Sequence, residues 1–158
     1  MVNFAIIEYH NYKFMITDSP IDNNLDTYLE QYQKHNVSTI VRLCESYYDS
    51  SIIEKAGIDV LDLSYEDGGV PNLSIINQWR DTVSKNKNST IAVHCLSGLG
   101  RAPLLVCLSL IENGMDKIEA IEMIRRHRNG ALNSKQISFI IDYEEESSAY
   151  NWLSCIFQ

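Results

Sequence analysis

Short β-branched, apolar runs alternate along this chain with longer stretches whose apolar residues recur at helical spacing. From Phe4 to Thr17 the pattern reads as two strands around Asn11-Tyr12, and Ile21 to Lys34 as an amphipathic helix announced by Asp18-Ser19-Pro20. Next come a strand over Ser38–Leu43, a short helix over Ile52–Ala56 and a strand over Ile58–Asp62. A helix over Leu73–Ser84 follows, with Trp79 as a core anchor, and then the strand Thr90–His94. Helices near Arg101–Asn113, Lys117–Arg128 and Ser134–Tyr143 complete the series. Strands interleaved with helices predict an α/β fold: a three-layer α/β/α sandwich with a mainly parallel central sheet.

The chemistry concentrates between the last strand and the helix that follows it. His94-Cys95-Leu96-Ser97-Gly98-Leu99-Gly100-Arg101 sets a cysteine and an arginine around five residues, two of them glycine. Pro103 suits the first turn of a helix, where its missing N–H costs nothing, and Gly114 suits the helix end. A loop joining a strand to a helix N-terminus can turn successive N–H groups inward on an anion, and the helix dipole adds positive potential. Gly98 and Gly100 permit the torsions and close approach this requires. Leu96, Ser97, Gly98, Leu99, Gly100 and Arg101 are therefore the expected phosphate-binding residues. Cys95 is expected as a thiolate nucleophile favoured by the helix end and Arg101. The arginine's planar fork suits two phosphoryl oxygens. His94 is read as orienting the loop rather than as a base.

Thiolate attack on a phosphate ester needs a proton for the leaving group. The turn segment Tyr65-Glu66-Asp67-Gly68-Gly69-Val70-Pro71 follows a strand whose end should lie beside the loop. Asp67 is the favoured general acid and Glu66 its competitor. Cys44 closes the strand Thr39–Leu43. If that strand neighbours the one before Cys95, a spacing of about 4.8 Å falls within disulfide reach. An activated thiolate beside a second cysteine is then a reversible redox switch. Otherwise Cys44 is a small buried hydrophobe, the reading taken for mid-helix Cys107.

Composition narrows the function classes. The chain has 158 residues, 45% hydrophobic, and a formal net charge of −8, so any phosphate site must be built locally. No signal peptide or membrane span is read. Four irregularly spaced cysteines argue against a disulfide scaffold and against a metal site. The sequons at Asn36, Asn72 and Asn88 are read as chance. No cofactor is implied, and neither a basic patch nor a stacking array suggests nucleic acid. The run Arg125-Arg126-His127-Arg128 is read either as an attractor for an acidic partner or inositol phosphate, or as a helix C-terminal cap. His10 and His35 are read as structural or surface residues.

With these residues in hand, the chain resembles the phosphatase of regenerating liver branch of the protein tyrosine phosphatases. The resemblance rests on His94 to Pro103, Met15-Ile16-Thr17, Thr39 to Glu45, Val60-Leu61-Asp62, Glu66-Asp67-Gly68, Gly130 to Gln136 and Cys155-Ile156-Phe157-Gln158. It implies a dual-specificity-phosphatase fold, with a phosphatase domain over residues 1–146 and a tail over 147–158. It also implies Cys95 as nucleophile, Arg101 as phosphate binder, Asp67 as general acid and a regulatory Cys44–Cys95 disulfide. Gln136 matches a family position near the pocket that could orient water. The family further implies a prenylated Cys155 and a partner in the CBS-domain region of cyclin-M magnesium transport mediators.

Two features modify the expectation. Ala102 stands where most cysteine phosphatases carry Ser or Thr, whose hydroxyl stabilises the departing thiolate, so turnover of a phosphocysteine intermediate should be slow. The acid loop begins Leu63-Ser64 instead of Trp-Pro, which alters the stiffness of its hinge. The C-a-a-X pattern at Cys155 leans toward farnesyl. Its upstream residues Asp142, Glu144, Glu145 and Glu146 are acidic, so a cytoplasmic protein in weak, reversible membrane association is expected, with Tyr150, Trp152 and Leu153 at the interface. A phosphoprotein or phosphoinositide is the expected substrate, and a homo-oligomer stays open. The second reading is a near-stalled phosphatase fold that serves as a binding module for a membrane partner.

Overall fold

Neighbouring residues along the central strands face opposite sides of one sheet, and both sides are buried. The computed structural model describes residues 1–144. Its elements are β1 Phe4–Tyr9, β2 Tyr12–Thr17, α1 Leu25–Lys34, β3 Val37–Arg42, α2 Ser51–Lys55, β4 Asp59–Asp62, α3 Leu73–Lys85, β5 Thr90–His94, α4 Arg101–Glu112, α5 Lys117–His127 and α6 Ser134–Asp142. The five strands lie in the order β1-β2-β5-β3-β4. Only β1 and β2 are antiparallel; β2/β5, β5/β3 and β3/β4 are parallel.

The faces follow from a period of two. Phe14, Ile16, Val41, Ile91 and Val93 point to one side, where they pack with Trp79 of α3, Leu104 and Leu108 of α4, Ile121 of α5 and Ile140 of α6. Met15, Ile40 and Ala92 point to the other, against Leu25, Tyr28 and Tyr32 of α1 and Ile53 of α2. This is the expected three-layer sandwich. Strands buried on both faces read as continuous apolar runs, which is why β5 (Thr-Ile-Ala-Val-His) looks uniform in sequence. Trp79 is 1% exposed, and its indole N–H donates to Ser109 Oγ at 2.7 Å, so the anchor is also satisfied as a donor.

Departures from the pattern have local causes. The first helix does not start at the Asp18-Ser19-Pro20 signal. Asp18 instead accepts from the Tyr28 hydroxyl, and a 3-10 turn over Asp22–Asn24 precedes α1, with Asn24 Oδ1 taking the Ile21 N–H at 2.9 Å. The strand expected over Ser38–Leu43 runs Val37–Arg42. Two of the sequon asparagines, Asn36 and Asn88, adopt left-handed backbone at φ 57° and 70°. Asn72 caps α3, accepting from Ile75 N at 2.9 Å.

Among the described residues no helix is long and apolar enough to cross a membrane. None of them forms a cluster of three or more His, Cys, Asp and Glu able to hold a metal ion. The expectations for the tail, Cys155 included, lie outside the described residues.

Candidate active site

Three parallel strands, β3, β4 and β5, end on the same side of the sheet, and the candidate residues gather there. Arg42 pairs in register with His94 on one side and with Asp62 on the other. The Arg42 guanidinium forks onto Asp62, with Nε–Oδ1 at 2.6 Å and Nη2–Oδ2 at 2.9 Å, and Nη1 reaches Ser46 Oγ at 2.7 Å. That fork holds Asp62 below the usual carboxylate range. It also ties the ends of β3 and β4, from which the Cys44 segment and the Asp67 loop depart.

The segment between β5 and α4 is a cradle built from its carbonyls outward. Leu96 O accepts from Ser19 N at 3.0 Å, and Leu99 O from Leu132 N at 2.8 Å. Ser97 O and Gly98 O accept from one guanidinium, Arg128 Nη2 at 2.9 Å and Nε at 3.1 Å. Across a trans peptide the N–H points opposite to the C=O. Four outward carbonyls therefore turn the N–H groups of Ser97, Gly98, Leu99 and Gly100 inward, where among the described residues they donate to no protein acceptor. Gly98 has φ +72°, and a Cβ there would lie 2.5 Å from Arg128 Nη2 and 2.6 Å from Thr17 O. Only glycine fits.

Arg101 opens α4 and is 6% exposed. Its Nη1 donates to Leu43 O at 3.0 Å and Tyr65 O at 2.9 Å, which fixes the guanidinium from one side. Its Nε is buried without a hydrogen-bond partner among the described residues, while Nη2 lies 3.6 Å from Asp67 Oδ1. The Nε/Nη2 edge thus keeps donors to spare. A dianion with paired oxygens matches that edge. Cys95, 2% exposed, lies at the base of the loop.

Above it, the loop after β4 is closed down and held at several points. Tyr65 donates its hydroxyl to Arg101 O at 2.9 Å. Asn133 Nδ2 holds Gly68 O at 3.0 Å, and Gln136 Nε2 holds Gly69 O at 3.1 Å. Asp67 is the carboxylate brought against Arg101, with its side chain 77% exposed; among the described residues no such pairing holds Glu66. Gln136, expected near the pocket, is buried and spends both ends of its amide on structure: Nε2 on Gly69 O and Oε1 on Asn133 N at 3.0 Å, in the capping box of α6. The departure Leu63-Ser64 places Leu63 in the core, 3% exposed.

His94 is fully enclosed. Its Nδ1 lies 3.2 Å from Cys95 O and its Nε2 2.8 Å from the Tyr48 hydroxyl. A carbonyl only accepts, so Nδ1 carries the proton and Tyr48 donates to Nε2, which is the neutral tautomer. Burial pushes the ring's pKa down to about 4. Cys44 Sγ sits 3.9 Å from the same Nδ1, and burial pushes its thiol up. Since β3 and β5 are paired neighbours, Cys44 and Cys95 do leave adjacent strand ends. Both are free thiols, as is buried Cys107.

Arg128 is the residue the sequence reading did not find. Its run was read as an anion attractor or a cap, but Arg128 is 4% exposed and supports the loop from behind, with Nη1 on Asn3 Oδ1 at 3.0 Å. Arg125 caps the following turn, donating to Ala131 O and Leu132 O. Arg128 is thus enclosed, while Arg125 is exposed with two of its nitrogens spent on carbonyls. The only signal in sequence was position: a cation just before the turn Asn129-Gly130-Ala131-Leu132, whose last residue has φ +69° and gives its N–H to Leu99 O.

Comparisons with known proteins bear on the family and the fold. Residues 17–115 match the family described as "Polymorphic toxin system, DSP-PTPase phosphatase". The chain is 44% identical over 147 residues to PRL-1 phosphatase of Drosophila melanogaster, covering 90% of this chain and 84% of that protein. It is 41% identical over 141 residues to protein tyrosine phosphatase type IVA 3 of Homo sapiens, covering 87% and 82%. Among solved structures, a protein tyrosine phosphatase of Leishmania major superposes with a TM-score of 0.83 at 32% identity, covering 90% of this chain and 99% of that one.

Proposed function

The chain belongs to the protein tyrosine phosphatase type IVA family, the phosphatases of regenerating liver, and is a cysteine-based phosphatase; from that premise we propose how its residues divide the reaction. Cys95 attacks phosphorus as a thiolate, and the bond to the ester oxygen breaks. Asp67 gives its proton to the departing oxygen, leaving an alcohol or phenol and a phosphocysteine. The inward N–H groups of residues 97–100 and the Nε/Nη2 edge of Arg101 hold the three equatorial oxygens, whose charge they match best in the transition state. Water then attacks phosphorus and passes a proton to the Asp67 carboxylate, and the Cys95–phosphorus bond breaks to return the thiolate. The observation that carries this reading is the cradle of four unspent N–H groups beneath an arginine edge with an unpartnered buried nitrogen.

The second step is the slow one in this proposal. A thiolate leaving phosphorus needs a donor, and Ala102, fully buried at the next position after Arg101, has only a methyl group. The resting form under substrate is then the phosphocysteine. Rapid mixing with an aryl phosphate should give a burst near one equivalent followed by a slow steady rate. Ala102→Ser should raise the steady rate by up to roughly 100-fold, the lower end of what one well-placed donor to a developing anion contributes. Cys95→Ser should abolish the burst and the phosphoenzyme together. A linear, burst-free time course would reject slow dephosphorylation.

A further inference from the structure

A cleft of about 430 Å³ opens onto Arg101, with Glu45, Tyr47, Glu66, Asp67 and Leu96 among the residues around it. Three of these are exposed carboxylates, and one is a cation, the buried Arg101. Asp67 lies against Arg101, but no cation among the described residues is paired with Glu45 or Glu66. Tyr47 and Leu96 are 48% and 52% exposed, large apolar surfaces on the same cleft. The rim is therefore acidic and apolar around the buried Arg101, whose unpartnered Nε points to a phosphoryl ligand.

Resting on the phosphatase reading above, we propose that Glu45 and Glu66 select the substrate: a phosphotyrosine segment of a protein in which Lys or Arg flanks the phosphorylated residue. The phosphoryl group reaches Arg101 and the N–H cradle, the aryl ring meets Tyr47 and Leu96, and flanking cations meet the two free carboxylates. An acidic flank or an anionic lipid surface meets like charge at the same place, on a chain whose formal charge is −8. The rim thus separates a basic phosphopeptide from an acidic one and from a phosphoinositide in its membrane. Each exposed pair contributes roughly two- to five-fold, so two give about ten-fold in kcat/KM. The discrimination weakens with salt, since the screening length shrinks from about 30 Å at 0.01 M to about 10 Å at 0.1 M.

The test uses the full chain and three phosphotyrosine peptides identical but for flanks of Lys/Arg, Ala or Glu, with phenyl phosphate as a flank-free substrate. Because the second step is shared, burst rate against peptide concentration is the quantity compared. The basic peptide should lead the acidic one by at least ten-fold at low salt, and the ratio should fall toward one in Glu45→Gln/Glu66→Gln. A ratio near one in the unmodified chain overturns the inference. So does a ratio that survives in the double variant. Faster burst on a phosphoinositide in phosphatidylserine-containing vesicles than on the basic peptide also overturns it. Failure of phenyl phosphate to phosphorylate Cys95 would instead strike the parent reading, so the two failures are distinguishable.

Discussion

Arg128 and Gly98 act as a matched pair. The arginine presents two N–H groups to the carbonyls of Ser97 and Gly98, and the absent Cβ of Gly98 lets it approach. A methyl group at Gly98 meets the guanidinium and the Thr17 carbonyl at under 3 Å in a backbone region that disfavours it anyway. Arg128→Met keeps the aliphatic stem but leaves two carbonyls without their donors, and the peptides on either side of Gly98 are then free to rotate. Vanadate, which needs inward N–H groups, should bind at least ten-fold more weakly to Arg128→Met, while Arg128→Lys recovers part of the loss through one retained donor. Thermal unfolding of both variants separates loop disorder from global instability. Unchanged vanadate affinity in a folded Arg128→Met protein would show that the carbonyls hold their direction without it.

At the scale of elements, the site is the meeting of three strand ends with two turns, and the β3–β5 pairing brings Cys44 and Cys95 to neighbouring strand ends. Were the pair a redox switch, peroxide should oxidise a Cys95 thiolate to a sulfenic acid, and the Cys44 thiolate should then attack that sulfur, releasing hydroxide and forming a disulfide. Burial pushes the Cys44 thiol above its ordinary range, so near neutral pH it is mostly protonated and disulfide closure should quicken as pH rises. Peroxide-treated protein should recover activity with dithiothreitol, whereas Cys44→Ser should become progressively unrecoverable through over-oxidation. Equal recovery of the two proteins would remove Cys44 from the chemistry. The same elements show what the chain discloses before it folds. Cys95, the two glycines and Arg101 are contiguous, so their loop was legible from spacing, and the strand–helix alternation gave the sandwich. Asp67 is favoured over Glu66 in sequence by its place in the turn segment, and in space by its approach to Arg101. Arg128 was illegible because its work is done 30 residues away, across a helix-to-helix turn, where charge patterning along one helix carries no information.

For the molecule as a whole, the layer that positions the site also sets how the fold responds to acid. His94 lies at the end of the central strand β5, enclosed between layers, with both ring nitrogens committed in the neutral form. In the folded protein it titrates near pH 4, whereas in the unfolded chain it should titrate near its ordinary value of about 6.5. Between those values the unfolded chain holds a proton that the native state does not, so stability must fall as pH falls through that window. The loss amounts to roughly 2 kcal/mol by pH 5 and about 3 kcal/mol at its full extent. Asp62 acts in a different range. Its lowered folded value means its contribution is intact above the ordinary carboxylate range and is lost only below it, and its largely exposed side chain keeps that contribution small. Urea unfolding between pH 7.5 and 5 therefore isolates the histidine. His94→Asn keeps an amide donor for Cys95 O but does not titrate; it should be less stable than the parent at pH 7.5 and lose less stability down to pH 5. The two proteins differ only at this side chain, so the difference between the two curves reports His94. Parallel curves would mean that His94 takes up its proton in the native state without penalty, and that the neutral tautomer joining Tyr48 to Cys95 is not what the fold requires.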